Sequence, residues 1–138
     1  MDRQARIDYL LELYQHPAHK RPLENADATL QGGNPGCGDI VTYSIRVASD
    51  GRVTEIAFEG EGCTISQAAA ELVADESENR TLEEIEALSH DEIIDLLGRE
   101  IVMSRPRCAT LALGTLKGAV KLYRTRRRDQ VAQDDAGG

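Results

Sequence analysis

Three thiols and one carboxylate are the residues here whose types and spacing could do chemistry. GNPGCGD, residues 33–39, sets Cys37 between two glycines and places Asp39 two residues on. Cys63 follows the glycine-rich GEG, and Cys108 lies in RPRCATL. A thiol and a carboxylate on so pliant a backbone make either a tight turn before a strand or two ligands of one metal. On that segment alone both readings stand. Three separate cysteines do not form the CxxC pairs of a zinc ribbon, and an odd count leaves at least one thiol free. By count alone they read more simply as buried structural thiols, and in a reducing compartment structural disulfides are not expected.

The elements that must position these residues follow from periodicity. Residues 3–15 read as an amphipathic helix, with Ile7, Leu10, Leu11 and Tyr14 at helical spacing and Pro17 ending it. HPAHKRPLENADATLQGG reads as an extended polar loop. From Ile40 the period becomes two, with Val41, Tyr43, Ile45 and Val47 on one face of a strand. SDG at 49–51 signals a hairpin, and Arg52 to Glu59 supplies the second strand with Ile56 and Phe58 on one side. An alanine-rich helix is expected from about Ile65 to Ala74. Two short helices follow, each opened by a capping box: Thr81 with Glu84, and Ser89 with Glu92. Gly98 closes the second, REIVMS reads as extended, and Pro106 starts a last helix running to about Tyr123. RTRRR at 124–128 reads as a solvated helix end; an acidic partner is the other use for such a cluster.

Each cysteine falls at the boundary of an element. If the two strands pair as a hairpin, the start of one lies beside the end of the other, so Cys37 and Cys63 share one edge of the sheet. Cys63 and Cys108 both sit at helix N-termini, where the dipole and free N–H groups favour thiolate. Arg105 and Arg107 add positive charge near the second. Thiolate is the form that binds metal or attacks sulfur. Gly36, Gly38, Gly60 and Gly62 would keep bulk away from such a centre. Three thiolates plus the Asp39 carboxylate would give four-coordination of zinc or of an iron–sulfur cluster. Asp39 alone reads more simply as a turn or cap residue; paired with Cys37 and opposite two helix-terminal cysteines, it reads as a ligand too. A cysteine hydrolase is a further reading, with Cys37 or Cys63 acting beside His16, His19 or His90, but each histidine reads more simply as a surface residue. Thr64 and Ser66 read as helix-capping residues.

Composition bounds the alternatives. The chain has 138 residues, enough for one domain, and an aliphatic core is required because it has no Trp and a single Phe. A formal net charge of −8 argues against nucleic acid, which demands a basic face. No run approaches the roughly 20 apolar residues of a membrane span. MDRQARIDYLLELY reads as a charged helix rather than a signal peptide, so a cytoplasmic protein with no membrane partner is expected. The domain is expected over 1–123, with 124–138 a polar, flexible tail.

NPGCGD at 34–39, FEGEGCTIS at 58–66 and RCATL at 107–111 resemble the U-type iron–sulfur assembly family, comprising IscU, the N-terminal domain of NifU, and SufU. YQHPAHKRPLENAD at 14–27 is similar to that family's Tyr-x-x-Pro segment, and the resemblance runs from about Asp8 to Tyr123. It implies an α+β fold: a small, mostly antiparallel three-stranded sheet covered by helices, with REIVMS as the third strand. It also implies that Cys37, Asp39, Cys63 and Cys108 surround one metal or cluster. GEGCTIS and RCATL resemble SufU, and Arg107 stands where IscU usually has histidine. The LPPVK segment by which IscU proteins engage an Hsp70 chaperone is replaced by IVMSRPR. The stretch between Cys63 and Cys108 is nevertheless short, as in IscU.

The function this implies is a scaffold that receives sulfur from a pyridoxal-phosphate cysteine desulfurase, builds a transient [2Fe–2S] cluster and hands it to apo-proteins. The alternative is a zinc-dependent sulfurtransferase of the SufU kind, holding Zn²⁺ and accepting persulfide. The sulfur acceptor would be Cys108 in an IscU-like protein, or Cys37 in a SufU-like one. A monomer, or a weak oligomer bridged through a cluster, is expected. A purely structural thiol or zinc domain is the reading from another class.

Overall fold

The computed structural model describes residues 2–34 and 38–137; Cys37 lies outside them. Helix α1 spans Arg3–Gln15, and the Asp2 carboxylate caps it by accepting from the Ala5 N–H at 2.7 Å. Three strands follow: β1, Ala28–Asn34; β2, Asp39–Val47; and β3, Val53–Glu61. Helices α2, Thr64–Ser77; α3, Leu82–Ala87; α4, His90–Leu97; α5, Arg99–Val102; and α6, Pro106–Gly137, complete the chain. The strands form one antiparallel sheet in the order β1-β2-β3. The class is α+β, with helices packed on the sheet.

The alternation in β2 buries Val41, Tyr43 and Ile45 completely, and each faces a partner on β3: Tyr43 opposite Phe58, Ile45 opposite Ile56. Tyr43 and Phe58 meet edge to face with centroids 6.0 Å apart. Burying a side chain of that size contributes on the order of 2 kcal/mol. Tyr43 keeps its hydroxyl satisfied by donating to the Ala70 carbonyl at 2.6 Å, which ties the sheet to α2. The hairpin forms at residues 48–52, where Gly51 takes φ +86° and its N–H bonds the Ala48 carbonyl.

Helix α2 passes between α1, the sheet and α6. Its alanines at 68, 69, 70 and 74 are fully buried together with Leu72 and Val73, so small side chains allow neighbours to approach from several sides. Both expected capping boxes close in full, starting α3 at Thr81 and α4 at Ser89. Among the described residues no helix is long and apolar enough to cross a membrane.

Four expectations need correction. REIVMS is not the third strand: after Gly98, at φ +106°, the chain turns into the short helix α5 and buries Val102. The third strand is β1, within the segment expected to be loop. It pairs along β2 from Ala28 opposite Ile45 to Asn34 opposite Asp39. The last helix also continues past Tyr123, to Gly137. Arg124 is not merely solvated; its guanidinium reaches Glu83 at 3.0 Å and Glu86 at 2.8 Å on α3. Arg126, Arg127 and Arg128 are exposed, as expected.

Candidate metal centre

Asp39, Cys63 and Cys108 come from three different elements. Asp39 opens β2, and Glu61 at the end of β3 pairs with its neighbour Ile40. The chain leaves β3 through Gly62 and reaches Cys63, the N-cap of α2. Cys108 lies in the first turn of α6, which packs against both β2 and α2. One ligand atom from each of the three residues lies within 4.8 Å of the other two. Asp39 and Cys108 are each only 1% exposed, whereas Cys63 is partly exposed. Gly38, immediately before Asp39, has φ +72° and open space where a Cβ would stand.

The Asp39 carboxylate organises the centre. Its Oδ1 accepts from the Cys63 backbone N–H at 2.8 Å and from the Ser66 hydroxyl at 3.2 Å. Its Oδ2 accepts from the Cys108 thiol at 3.0 Å. Burial pulls the Asp39 pKa up, but the bonds from Cys108, the Cys63 N–H and Ser66 more than offset it, and the group lies below its ordinary value. Asp39 is therefore an anion inside the protein at neutral pH.

Cys108 departs from the expectation of a lowered thiol pKa. Burial is the main cause raising it, followed by the bond to Asp39 and the neighbouring Cys63. A helix N-terminus and two nearby arginines do not overcome placement beside a carboxylate away from water; Arg105 and Arg107 are themselves exposed. Without metal, Cys108 is a thiol that donates a hydrogen bond to the Asp39 carboxylate. Cys63 has the expected helix-end setting, its Sγ accepting the Ser66 N–H at 3.4 Å.

A cation entering between Asp39 Oδ2 and Cys108 Sγ would replace that shared proton, as thiolate ligation requires. Two soft sulfurs and one carboxylate oxygen suit zinc or iron–sulfur chemistry, not a hard all-oxygen site for calcium or magnesium. The partners of the Cys63 and Cys108 sulfurs among the described residues are Ser66 and Asp39, not a histidine, so the cysteine hydrolase has no imidazole base at these two thiols.

The histidines separate. His16 is exposed at the end of α1, and His90 is exposed at the start of α4. His19, expected at the surface, is buried: its Nδ1 meets Glu71 Oε1 at 2.9 Å and its Nε2 lies 3.5 Å from Glu78. Glu71 also accepts the Ala18 and His19 backbone N–H groups. Nothing in HPAH announced this, because Glu71 looks like an ordinary helix-surface acid. Ser66 was expected to be a capping residue only; its hydroxyl instead reaches Asp39. The TIS spacing after Cys63 was the available signal.

The NifU-like N terminal domain family model matches residues 6–130. The chain belongs to that family. Among similar proteins, the iron–sulfur cluster assembly scaffold protein IscU 1 of Archaeoglobus fulgidus is 29% identical over 116 residues, covering 84% of this chain and 74% of that protein. The scaffold protein IscU of Azotobacter vinelandii is 29% identical over 123 residues, covering 87% and 94%. The crystal structure of FiSufU from Fervidobacterium islandicum AW-1 superposes with TM-score 0.70 at 22% identity, covering 82% of this chain and 94% of that one. That likeness shows the shared fold.

Proposed function

We propose that this chain is an iron–sulfur cluster assembly scaffold. The observation that carries the reading is the convergence of Asp39, Cys63 and Cys108 at one end of the sheet, in a member of the NifU-like N-terminal family. Relatives that bear the name of scaffold match along most of this chain. Cys37, two residues before Asp39, is the fourth ligand in this reading. A pyridoxal-phosphate cysteine desulfurase supplies sulfur as persulfide. A thiolate of this chain attacks the outer sulfur and releases the desulfurase thiolate; Cys108 or Cys37 is the acceptor.

Iron and sulfide are cargo here, not resident groups. Three thiolates hold a [2Fe–2S] cluster firmly, while the oxygen of Asp39 is a weaker ligand for iron and eases release to an apo-protein. The buried thiol of Cys108 becomes a good ligand or nucleophile only once its proton leaves, so iron entry at Asp39 activates it.

Anaerobic incubation with cysteine, ferrous iron, a cysteine desulfurase and dithiothreitol as electron source tests this. Visible charge-transfer bands with equal iron and acid-labile sulfide, lost in Cys37→Ala, Cys63→Ala and Cys108→Ala, are expected. Retained zinc with no cluster, and desulfurase turnover that accelerates only when Cys37 is present, would replace the scaffold by a zinc-dependent sulfurtransferase.

A further inference from the structure

The two oxygens of Asp39 have different surroundings, and the difference traces to Ser66. Oδ1 accepts the Cys63 N–H at 2.8 Å and lies 3.2 Å from the Ser66 hydroxyl. Gly62 closes over the same oxygen: a Cβ there would stand 2.1 Å from Oδ1. Oδ2 accepts from the Cys108 thiol at 3.0 Å.

Ser66 is itself held. Its oxygen accepts from Gln67 Nε2 at 3.2 Å, which leaves its single proton a choice of the Cys63 carbonyl at 3.0 Å or Asp39 Oδ1 at 3.2 Å. The carbonyl already accepts the Gln67 backbone N–H, and the anionic carboxylate is the stronger acceptor. Gln67 is 4% exposed, and its Oε1 has no hydrogen-bond partner among the described residues. Its amide fits against Gly60, where a Cβ would lie 3.0 Å from Oε1 and 2.5 Å from the Ile40 carbonyl. A buried amide kept with one end unpaired is unusual; the partner it does engage is Ser66.

We propose that Ser66, oriented by Gln67, is a positioning residue that ties down Asp39 Oδ1, so that the carboxylate meets a metal through Oδ2 alone. The proposal rests on the ligand reading above and adds the residue that sets its coordination number. A carboxylate free to rotate can bind through both oxygens and raise the count to five. Clamped on one oxygen, it gives a single donor and keeps the site four-coordinate with the thiolates. Partners that orient metal ligands in this way act through the ligand, not on the metal.

Cobalt(II) titration of the full, metal-free chain tests it, because the intensity of the ligand-field bands reports coordination number independently of any cluster assembly. Wild type and the hydroxyl-retaining Ser66→Thr are expected to give intense four-coordinate bands. Ser66→Ala is expected to bind cobalt about 10-fold to 100-fold more weakly, with bands weakened toward five-coordination. In an Asp39→Ala background, Ser66→Ala should change neither affinity nor spectrum further. An equal loss with and without Asp39 would overturn the positioning role alone, since Ser66 would then act by general structure. Absence of cobalt binding by wild type would overturn the ligand reading and the proposal with it. If circular dichroism shows Ser66→Ala unfolded, Gln67→Leu carries the test: a shift in the same direction supports the role, and unchanged binding and bands overturn it.

Discussion

Gly62 and Asp39 are fitted to each other: the missing side chain of one is the space occupied by the carboxylate of the other. A Cβ at residue 62 would lie 2.1 Å from Asp39 Oδ1 and 2.9 Å from its Cα, and the backbone there has φ +141°. Gly62→Ala must therefore move Asp39 or break the β3–α2 connection. Strain at such a φ costs on the order of 1–3 kcal/mol. The expected outcome is a lower melting temperature together with metal affinity reduced at least about 10-fold. Equilibrium denaturation and zinc competition against a chromophoric chelator measure the two effects separately. Unchanged affinity would mean that Asp39 is not held where metal binds.

The shared proton of Asp39 and Cys108 gives a pH dependence of known sign. The Cys108 pKa is raised in the folded chain, chiefly by burial. Its contribution to stability is complete below the ordinary thiol value, about 8.5, and is lost as pH rises toward the folded value. The metal-free protein should then weaken above about pH 8.5, by up to about 1.4 kcal/mol per pH unit from this group. Denaturation of wild type and Cys108→Ala between pH 7 and 10 isolates it, since the difference should shrink as pH rises. A constant difference would place the thiol in water.

His19 and Glu71 clamp the segment between α1 and β1. Burial alone would lower the His19 pKa, but the hydrogen bond and charge of Glu71, with Glu78 beyond, raise it above its ordinary value. The added stability is complete below about pH 6.5 and fades as pH rises through the folded value. Glu71 comes from within α2 and Glu78 from its C-cap; the His19 carbonyl also accepts the Phe58 N–H at 2.9 Å, so the segment is held to β3 as well. His19→Ala leaves Glu71 buried with only two backbone donors, and a loss of about 3 kcal/mol is expected at pH 6. The loss should be smaller at pH 8. Chemical denaturation at the two pH values checks this, and an equal loss at both would show that the imidazole acts by packing alone.

What could be read in advance was whatever the chain states locally. Capping boxes at Thr81 and Ser89, the two-residue period of β2, the turn at Asp50–Gly51 and Pro106 as a helix start all form as expected. The placement of Cys63 and Cys108 at helix starts was legible for the same reason. The charge state of Cys108 was not, because the dipole is local while burial beside Asp39 is made by packing residues far apart in sequence. The pairing of His19 with Glu71 was hidden in the same way. Strand β1 was missed because ATLQGGN carries its inward period on Ala28, Leu30 and Gly32, and a glycine leaves no apolar mark. REIVMS, by contrast, carries apolar residues that serve a short helix as well as a strand.

The glycine that hid β1 is also what seats the last helix. A Cβ on Gly32 would lie 2.0 Å from Thr115 Oγ1 and 3.1 Å from its Cβ, and one on Gly118 would lie 2.5 Å from Leu30 Cδ2. The Leu30 tip can rotate, whereas Thr115 is buried and its hydroxyl donates to the Leu111 carbonyl at 2.8 Å. Gly32→Ala should therefore cost about 1–3 kcal/mol through overpacking, and Gly118→Ala less. The consequence reaches the candidate centre, because Cys108 is on the same helix, seven residues and about 10 Å from Thr115. Pushing α6 away from β1 draws the Cys108 sulfur from Asp39. Gly32→Ala is expected to weaken zinc binding as well as stability, and Gly32→Ala with Thr115→Ser, which keeps the hydroxyl overlap, should restore neither. Gly32→Ala with Thr115→Gly, which removes the side chain in the way, should recover metal affinity even though the glycine lowers helix stability. Recovery of affinity without recovery of stability would show that helix position, not overall folding, governs the distance between thiol and carboxylate.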